Sequence, residues 1–246
     1  RLQVEHPITE EVTGLDLVEW MLKIAAGTPP DFSAVPSPQD PMPEGAAIEV
    51  RIYAEDPLKN FQPSPGVLTL VDFPQTDDVR VDTWVSTGSE VSALYDPMIA
   101  KLIVKGTDRN DAIAKIQAAL NSTALAGIST NIDYLRQVCA WDRFITGDVA
   151  TRALESFEFE PHCVEIVQPG TYTSIQDYPG RKGYWDIGVP PSGPMDDYAF
   201  RLANRIVGND AKAAGIEATI VGPEIKFHQD AVIALTGAQT DATLEG

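Results

Sequence analysis

Six prolines fall between residues 28 and 45, at Pro29, Pro30, Pro36, Pro38, Pro41 and Pro43, with little hydrophobic periodicity around them. Each fixes its own φ and pushes the preceding residue toward extended backbone, so no helix or central strand is expected to run through this stretch. It reads as a linker or surface excursion. Compact structure must form on either side of it. A second change of texture follows Cys163, where glycine and proline become dense, as in Pro169-Gly170, Pro179-Gly180, Pro190-Pro191 and Gly193-Pro194. The acidic and aromatic residues 155–161 form the joint before it. Three segments are therefore expected, 1–44, 45–160 and 161–246, in a chain whose length of 246 residues allows one to three units.

Periodicity fills these segments in. A helix is expected over residues 13–26, with Leu15, Val18, Leu22 and Ala25 on one stripe and Gly27 as its stop. Residues 47–53 alternate cleanly: Ile48, Val50 and Ile52 share one face of a strand, Glu49, Arg51 and Tyr53 the other. After a turn cluster at 61–66, strands are expected at 67–73, 79–85 and 98–105. A helix follows over 111–124, and another is capped by Asn131. The last segment reads as β-rich and truncated, with strands at 163–167, 216–221, 224–227 and 231–235. One helix over 196–207 has Ser192 where an N-cap would sit and turns Ala199, Leu202, Ala203 and Ile206 inward. The fold class is α+β multidomain.

The charge and cysteine content exclude several roles. A net charge of -18 argues against nucleic acid, whose recognition needs clustered Lys and Arg. Two cysteines, Cys139 and Cys163, provide no disulfide framework and no CxxC spacing, which fits the cytoplasm. No apolar run is long enough for a membrane span and no leader is visible. With 43% hydrophobic residues there is material for real cores. The first residue is Arg, inside a motif, so a segment of a longer polypeptide is expected.

That motif is Arg1-Leu2-Gln3-Val4-Glu5-His6. As an extended segment it would place Arg1, Gln3 and Glu5 on one face, about 6–7 Å apart, and Leu2 and Val4 on the other. A cation, an amide and a carboxylate in a row can hold a small oxyanion and offer it a base. The same alternation also describes a solvated edge strand with a surface ion pair. Arg51 can likewise be a strand-face charge pairing with Glu49 or Glu55. Lys101 and Lys105 read as ordinary surface charges, and His6 before Pro7 as positional.

Residues 1–10, continuing Pro7-Ile8-Thr9-Glu10, resemble the signature of the biotin carboxylase family of ATP-grasp enzymes. Residues 47–57, Pro63-Ser64-Pro65-Gly66, residues 95–102 and Thr130-Asn131-Ile132 resemble that family's carboxyl-terminal domain, in the same order. The resemblance covers about residues 1–155. It implies the end of an ATP-grasp domain followed by a biotin carboxylase C-terminal α+β domain. It also implies that Glu5 is the base for bicarbonate, that Arg1, Gln3 and Val4 bind bicarbonate, and that Arg51 faces the biotin ureido oxygen. The cofactors implied are biotin, ATP and Mg2+. The glycine-rich ATP loop, the nucleotide-gripping lysines and the acidic magnesium ligands are expected upstream of residue 1, and no biotin-acceptor Met-Lys-Met occurs in this chain. The segment is therefore expected to be inactive alone, with no metal site of its own. Glu5 cannot deprotonate bicarbonate unaided, because a full transfer to an ordinary glutamate would be uphill by roughly 8 kcal/mol. Arg1 must hold the anion, and proton removal must be coupled to attack on the ATP γ-phosphate. A guanidinium at the ureido oxygen is oxyanion stabilisation, worth on the order of 3–4 kcal/mol.

Residues 171–181, 187–196 and 202–209 resemble the carboxyltransferase domain of the urea carboxylase family, a domain type that also occurs in a 5-oxoprolinase subunit. A biotin carboxylase region followed directly by this domain implies an enzyme that moves CO2 by way of a biotinyl carrier domain to urea, giving allophanate. Its partners would be bicarbonate, urea and the rest of the parent polypeptide. Arg181 could position a substrate carbonyl or anchor a turn. The helix start near Ser192 could present N–H groups to an oxygen or simply be a capped helix. Another acceptor such as 5-oxoproline, or a non-catalytic binding or regulatory module, is the alternative.

Overall fold

The computed structural model describes residues 1–35 and 44–244, so much of the expected proline-rich linker lies outside the described residues. The chain divides into two compact units, Arg1–Phe159 and Glu160–Gly246.

In the first unit the elements run α1 His6–Thr13, α2 Leu17–Ala25, β1 Ala46–Tyr53, β2 Glu55–Asp56, β3 Gln62–Pro63, β4 Gly66–Val67, β5 Leu70–Asp72, β6 Val79–Thr83, β7 Glu90–Val91, β8 Met98–Gly106, α3 Arg109–Ser122, β9 Ala124–Ala126, α4 Ile132–Ala140 and α5 Asp142–Thr146. The main sheet is antiparallel in the order β1-β8-β6. The alternation predicted for β1 is what the strand shows. Ile48, Val50 and Ile52 are buried and the residues between them are only half-buried. Together with Ala100, Leu102 and Val104 of β8 they form the floor of the core, and Ala112, Ile113, Ile116, Ala119 and Leu120 of α3 cover it. Each large side chain fully buried there contributes about 1.5–3 kcal/mol. Central strand β8 is buried on both faces, because α1 packs across β1 and β8 on the side away from α3.

Local chemistry moved several expected boundaries. The first six residues are not a strand: Val4 and Glu5 form a turn, and α1 begins at His6 with Pro7 in its first turn. Proline is preorganised for that position and its missing N–H costs nothing there. The turn is closed by His6 N–H to the Gln3 carbonyl, 3.2 Å, and Ile8 N–H to that of Glu5, 3.1 Å. The helix expected over 13–26 is cut at its start, since Gly14 takes a left-handed φ of 74° that closes α1. Asp16 then caps α2 by accepting from the Glu19 N–H at 2.7 Å. Helix α3 starts at Arg109 because Asp108 caps it through the Asp111 N–H. Asn131 sits at the start of α4, but its side chain makes no cap. It reaches β1 instead.

The second unit comprises β10 Val164–Gln168, β11 Tyr172–Gln176, α6 Asp197–Ile206, β12 Gly215–Thr219 and β13 Glu224–Phe227. Its antiparallel ladders are β10 with β13 and β11 with β12. Asp196, not Ser192, caps α6, accepting from the Ala199 N–H at 2.9 Å. The expected inward stripe is only partly right, because Leu202 and Ile206 are exposed. The helix docks through Phe200, whose ring lies where a side chain on Gly215 would stand, and through Asn204, whose amide donates to the Ala213 carbonyl. That i, i+4 row is rotated from the predicted one. Residues 231–235 form no strand, as no ladder partner lies beside them among the described residues.

Candidate functional site

The outer face of the main sheet carries charge where an ordinary sheet would carry apolar side chains under a helix. Ladder register puts Arg51 opposite Lys101 and Lys101 opposite Asp82, so one row crosses all three strands. Glu49 lies two residues before Arg51 on the same face, and Arg80 two before Asp82. Helix α1, lying over this face, adds Glu10, and the turn before it adds Glu5.

Glu5 and Arg51 meet. Arg51 Nη2 donates to Glu5 Oε2 at 2.9 Å across 46 residues of sequence, and Gln3 Nε2 donates to Glu5 Oε1 at 3.0 Å. Arg51 Nε lies 3.5 Å from Glu49 Oε1. The Arg51 and Glu5 side chains are 36% and 53% exposed, so their pairing adds at most about 1 kcal/mol to stability. What it does is place an acid and a guanidinium side by side at an open surface. Arg1 does not join them: it is exposed, and no ion pair holds it among the described residues. Gln3 and Val4 are exposed beside Glu5, and the Val4 carbonyl accepts from Lys101 Nζ at 3.0 Å.

Lys101 corrects the expectation of a surface charge. It is 8% exposed, with Asp82 Oδ2 at 3.2 Å and Glu49 Oε2 at 3.8 Å. Its sequence signal is that it interrupts the otherwise apolar stretch Met98–Val104 of β8, and a strand buried on both faces can hold a lysine only if it is paired. Lys105 is exposed, as expected. Arg80 is a second residue that sequence reasoning passed over. It binds Asp82 through Nε at 2.9 Å and Glu10 through Nη1 at 2.7 Å. His6 is positional as read: its Nδ1 lies 2.9 Å from the Gln3 carbonyl, which can only accept, so Nδ1 carries the hydrogen.

The electrostatics follow from cover and pairing. Burial pushes the Glu49 carboxyl above the ordinary range, against the pull of Lys101 and Arg51. Burial also opposes ionisation of Asp82, but hydrogen bonds from Arg80 and Lys101 outweigh it and hold its pKa down. For Arg51, burial works against the charged form, and Tyr53 and Glu49 more than compensate, so it stays a cation.

Asn131 fixes where Arg51 stands. Its Oδ1 accepts from the Tyr53 N–H at 2.9 Å, its Nδ2 donates to the Arg51 carbonyl at 3.1 Å, and its own N–H donates to the Tyr53 carbonyl at 3.2 Å. One asparagine thus stands in for a further strand along the free edge of β1. Two hollows in this unit, about 470 Å³ along Phe73 to Thr83 and about 180 Å³ beside Trp84 and Met98, enclose neither Glu5 nor Arg51. Among the described residues no three of His, Cys, Asp and Glu converge to hold a metal ion, and no helix is long and apolar enough to cross a membrane.

In the second unit Arg181 and Ser192 are both exposed. Their segments touch through backbone: a side chain on Gly180, at φ 74°, would stand 2.0 Å from the Ser192 carbonyl oxygen. Arg201 lies over the Tyr178 ring at 4.7 Å.

The first unit therefore presents a charged sheet face under its first helix, with Glu5 and Arg51 joined at the rim. Residues 49–156 match the biotin carboxylase C-terminal domain, residues 187–246 match the carboxyltransferase domain, subdomain A and B, and residues 1–31 match the carbamoyl-phosphate synthase L chain ATP-binding domain. The chain thus carries a region that matches a biotin carboxylase C-terminal domain, followed by part of a carboxyltransferase domain. Along nearly its whole length it is similar to urea amidolyases and urea carboxylases. The urea amidolyase of Lachancea kluyveri is 60% identical over 237 residues, which are 96% of this chain and 13% of that protein. The crystal structure of the Kluyveromyces lactis urea carboxylase is 59% identical, with a TM-score of 0.78, and the match covers 93% of this chain and 20% of that one. By contrast, the biotin carboxylase domain of Hydrogenobacter thermophilus 2-oxoglutarate carboxylase, solved in complex with MgADP, ADP and bicarbonate, matches 63% of this chain and 33% of its own. That match is 39% identical with a TM-score of 0.59. The chain therefore spans well under half of each of these relatives.

Proposed function

We propose that this segment works within a biotin-dependent, ATP-consuming carboxylase that acts on urea to give allophanate. The observation that carries the reading is the Arg51 to Glu5 contact at 2.9 Å, made across 46 residues between a strand and a helix-initiating turn. A pair this exposed is worth little as a structural device. As chemistry it is economical. Glu5, paired with Arg51, takes the bicarbonate proton as the bicarbonate oxygen attacks the ATP γ-phosphate, giving carboxyphosphate and ADP. By the family resemblance Arg1, Gln3 and Val4 would bind the anion, Arg1 through a charge-assisted contact, although Arg1 stands apart from the Glu5–Arg51 pair in this structure. Biotin, when bound, supplies the ureido nitrogen that accepts CO2. The side chain of Arg51, partly open to solvent and held as a cation, fits the oxygen of such a ureido group, where negative charge gathers when that nitrogen loses its proton.

Residues 1–44 would be the end of the ATP-grasp domain, 45–160 the biotin carboxylase C-terminal domain and 161–246 the first part of the carboxyltransferase. ATP and Mg2+ would be held by other parts of the parent polypeptide, and no step assigned to this segment runs through the metal. The biotinyl carrier domain would visit both units, and Arg181 and Ser192 would serve the transfer to urea. The cytoplasm is the compartment this chemistry fits. The segment alone would not turn over ATP.

The test is Glu5→Gln in the full-length parent, which should suppress bicarbonate-dependent ATP cleavage. Unchanged cleavage would remove Glu5 as the base. Offering the parent urea, acetyl-CoA and 5-oxoproline in parallel should show stimulation by urea; stimulation by one of the others and not by urea would overturn the acceptor. A parent gene with no ATP-binding half and no biotinyl lysine would favour a binding module instead.

A further inference from the structure

Lys101 is a buried cation on a strand with no room for error. An ammonium group has three N–H bonds to place, and burying it is costly unless they are used. Asp82 Oδ2 takes one at 3.2 Å. Glu49 would be the natural second acceptor, since its Oε2 is buried and has no hydrogen-bond partner. Yet Lys101 Nζ stays 3.8 Å from Glu49 Oε2, beyond hydrogen-bond range, and stands 3.0 Å from the Val4 carbonyl, 97 residues away in sequence. The geometry spends a donor on the turn before α1 and leaves a buried carboxylate oxygen short. That turn carries Glu5. Its side chains offer little to anchor it, as Gln3, Val4 and Glu5 are all exposed. Apart from Lys101 it is tied to the sheet by the exposed Arg51 pair. Because Arg51 and Lys101 are ladder partners, one row of the sheet grips the Glu5 turn twice, by its carboxylate and by its backbone.

We propose that Lys101 is a positioning residue: its buried ammonium, held by Asp82 and facing Glu49, fixes the Val4 carbonyl and so sets the Glu5 carboxylate against Arg51. This rests on the reading of Glu5 as the bicarbonate base. Losing the contact frees the turn by an ångström or so, and a misplacement of that size costs on the order of 100-fold in rate.

The experiment uses the full-length holoenzyme with three variants, Lys101→Met, Lys101→Arg and the double change Glu49→Gln with Lys101→Met, beside Glu5→Gln as reference. The double change removes both buried charges together, while Asp82 keeps Arg80, so it guards against a variant that fails only because a carboxylate is stranded. Bicarbonate-dependent ATP cleavage per folded molecule is expected to fall on the order of 100-fold in Lys101→Met and in the double variant, with the KM for ATP unchanged. Lys101→Arg, which keeps a cationic donor, should recover most of the loss. A double variant with the parent's kcat would overturn the proposal, because Lys101 would then only balance charge. Should Glu5→Gln leave cleavage intact, the base assignment fails. Crystal structures of the double variant then decide the positioning claim: a displaced Val4–Glu5 turn supports it and an unmoved turn overturns it.

Discussion

Replacing Asn131 with alanine tests whether one side chain closes the free edge of β1. Asn131 is 6% exposed, and its side chain satisfies the Tyr53 N–H and the Arg51 carbonyl together. Alanine keeps the main-chain bond from residue 131 to the Tyr53 carbonyl but strands those two groups, at about 1–3 kcal/mol each. The loss should therefore be about 2–6 kcal/mol, a large part of the 5–15 kcal/mol that holds a typical domain together. Urea denaturation of the chain, followed by a signal from the first unit, should show a midpoint lowered by about 1–3 M at a slope near 2 kcal/mol/M. Asn131→Asp is the informative control. It keeps the acceptor for the Tyr53 N–H and turns a carboxylate oxygen toward the Arg51 carbonyl, so it should be at least as damaging as alanine although its shape is the same. An alanine variant within about 0.5 kcal/mol of the parent, or an aspartate variant as stable as asparagine, would refute the edge-closing role.

Other outcomes follow from the same face and core. Asp82 has its pKa held below 3.8 in the folded chain, so its contribution to stability is present above the unfolded value and lost as pH falls through the folded one. The stability gap between the parent and Asp82→Asn should thus be constant from neutral pH to about pH 5 and shrink below it; a gap that widens on acidification contradicts the sign. Cys139 is 1% exposed with its thiol pushed up to about 11 by burial. It should resist iodoacetamide at neutral pH in the folded chain and react once urea unfolds it, and mass spectrometry showing alkylation at Cys139 under native conditions would contradict that burial.

Much of this molecule was legible in advance, and the reasons are local. The alternation of Ile48, Val50 and Ile52 needs only a period of two to declare a strand, and Ile113, Ile116 and Leu120 need only a helical stripe. Where reading failed, a short-range competitor or a distant partner was at work. Pro7 favoured a turn and a first helix where a strand was expected, and Gly14, closing that helix, cut the start off the helix expected over 13–26. Asn131 looked like a cap because caps are its usual use, and the vacant edge of β1 claimed it instead.

Composition and pattern by themselves determined that the chain is multidomain α+β and that β1 carries charge on one face, and the family resemblance singled out Arg1, Glu5 and Arg51. Only the tertiary structure decided that Arg51 reaches Glu5 while Arg1 stays apart, and that Lys101 lies under a helix rather than in water. The physical reason is cover. A lysine has the same sequence whether or not something packs on it, and what packs here is α1, brought to the face of β1 and β8 from the far side of the proline-rich stretch.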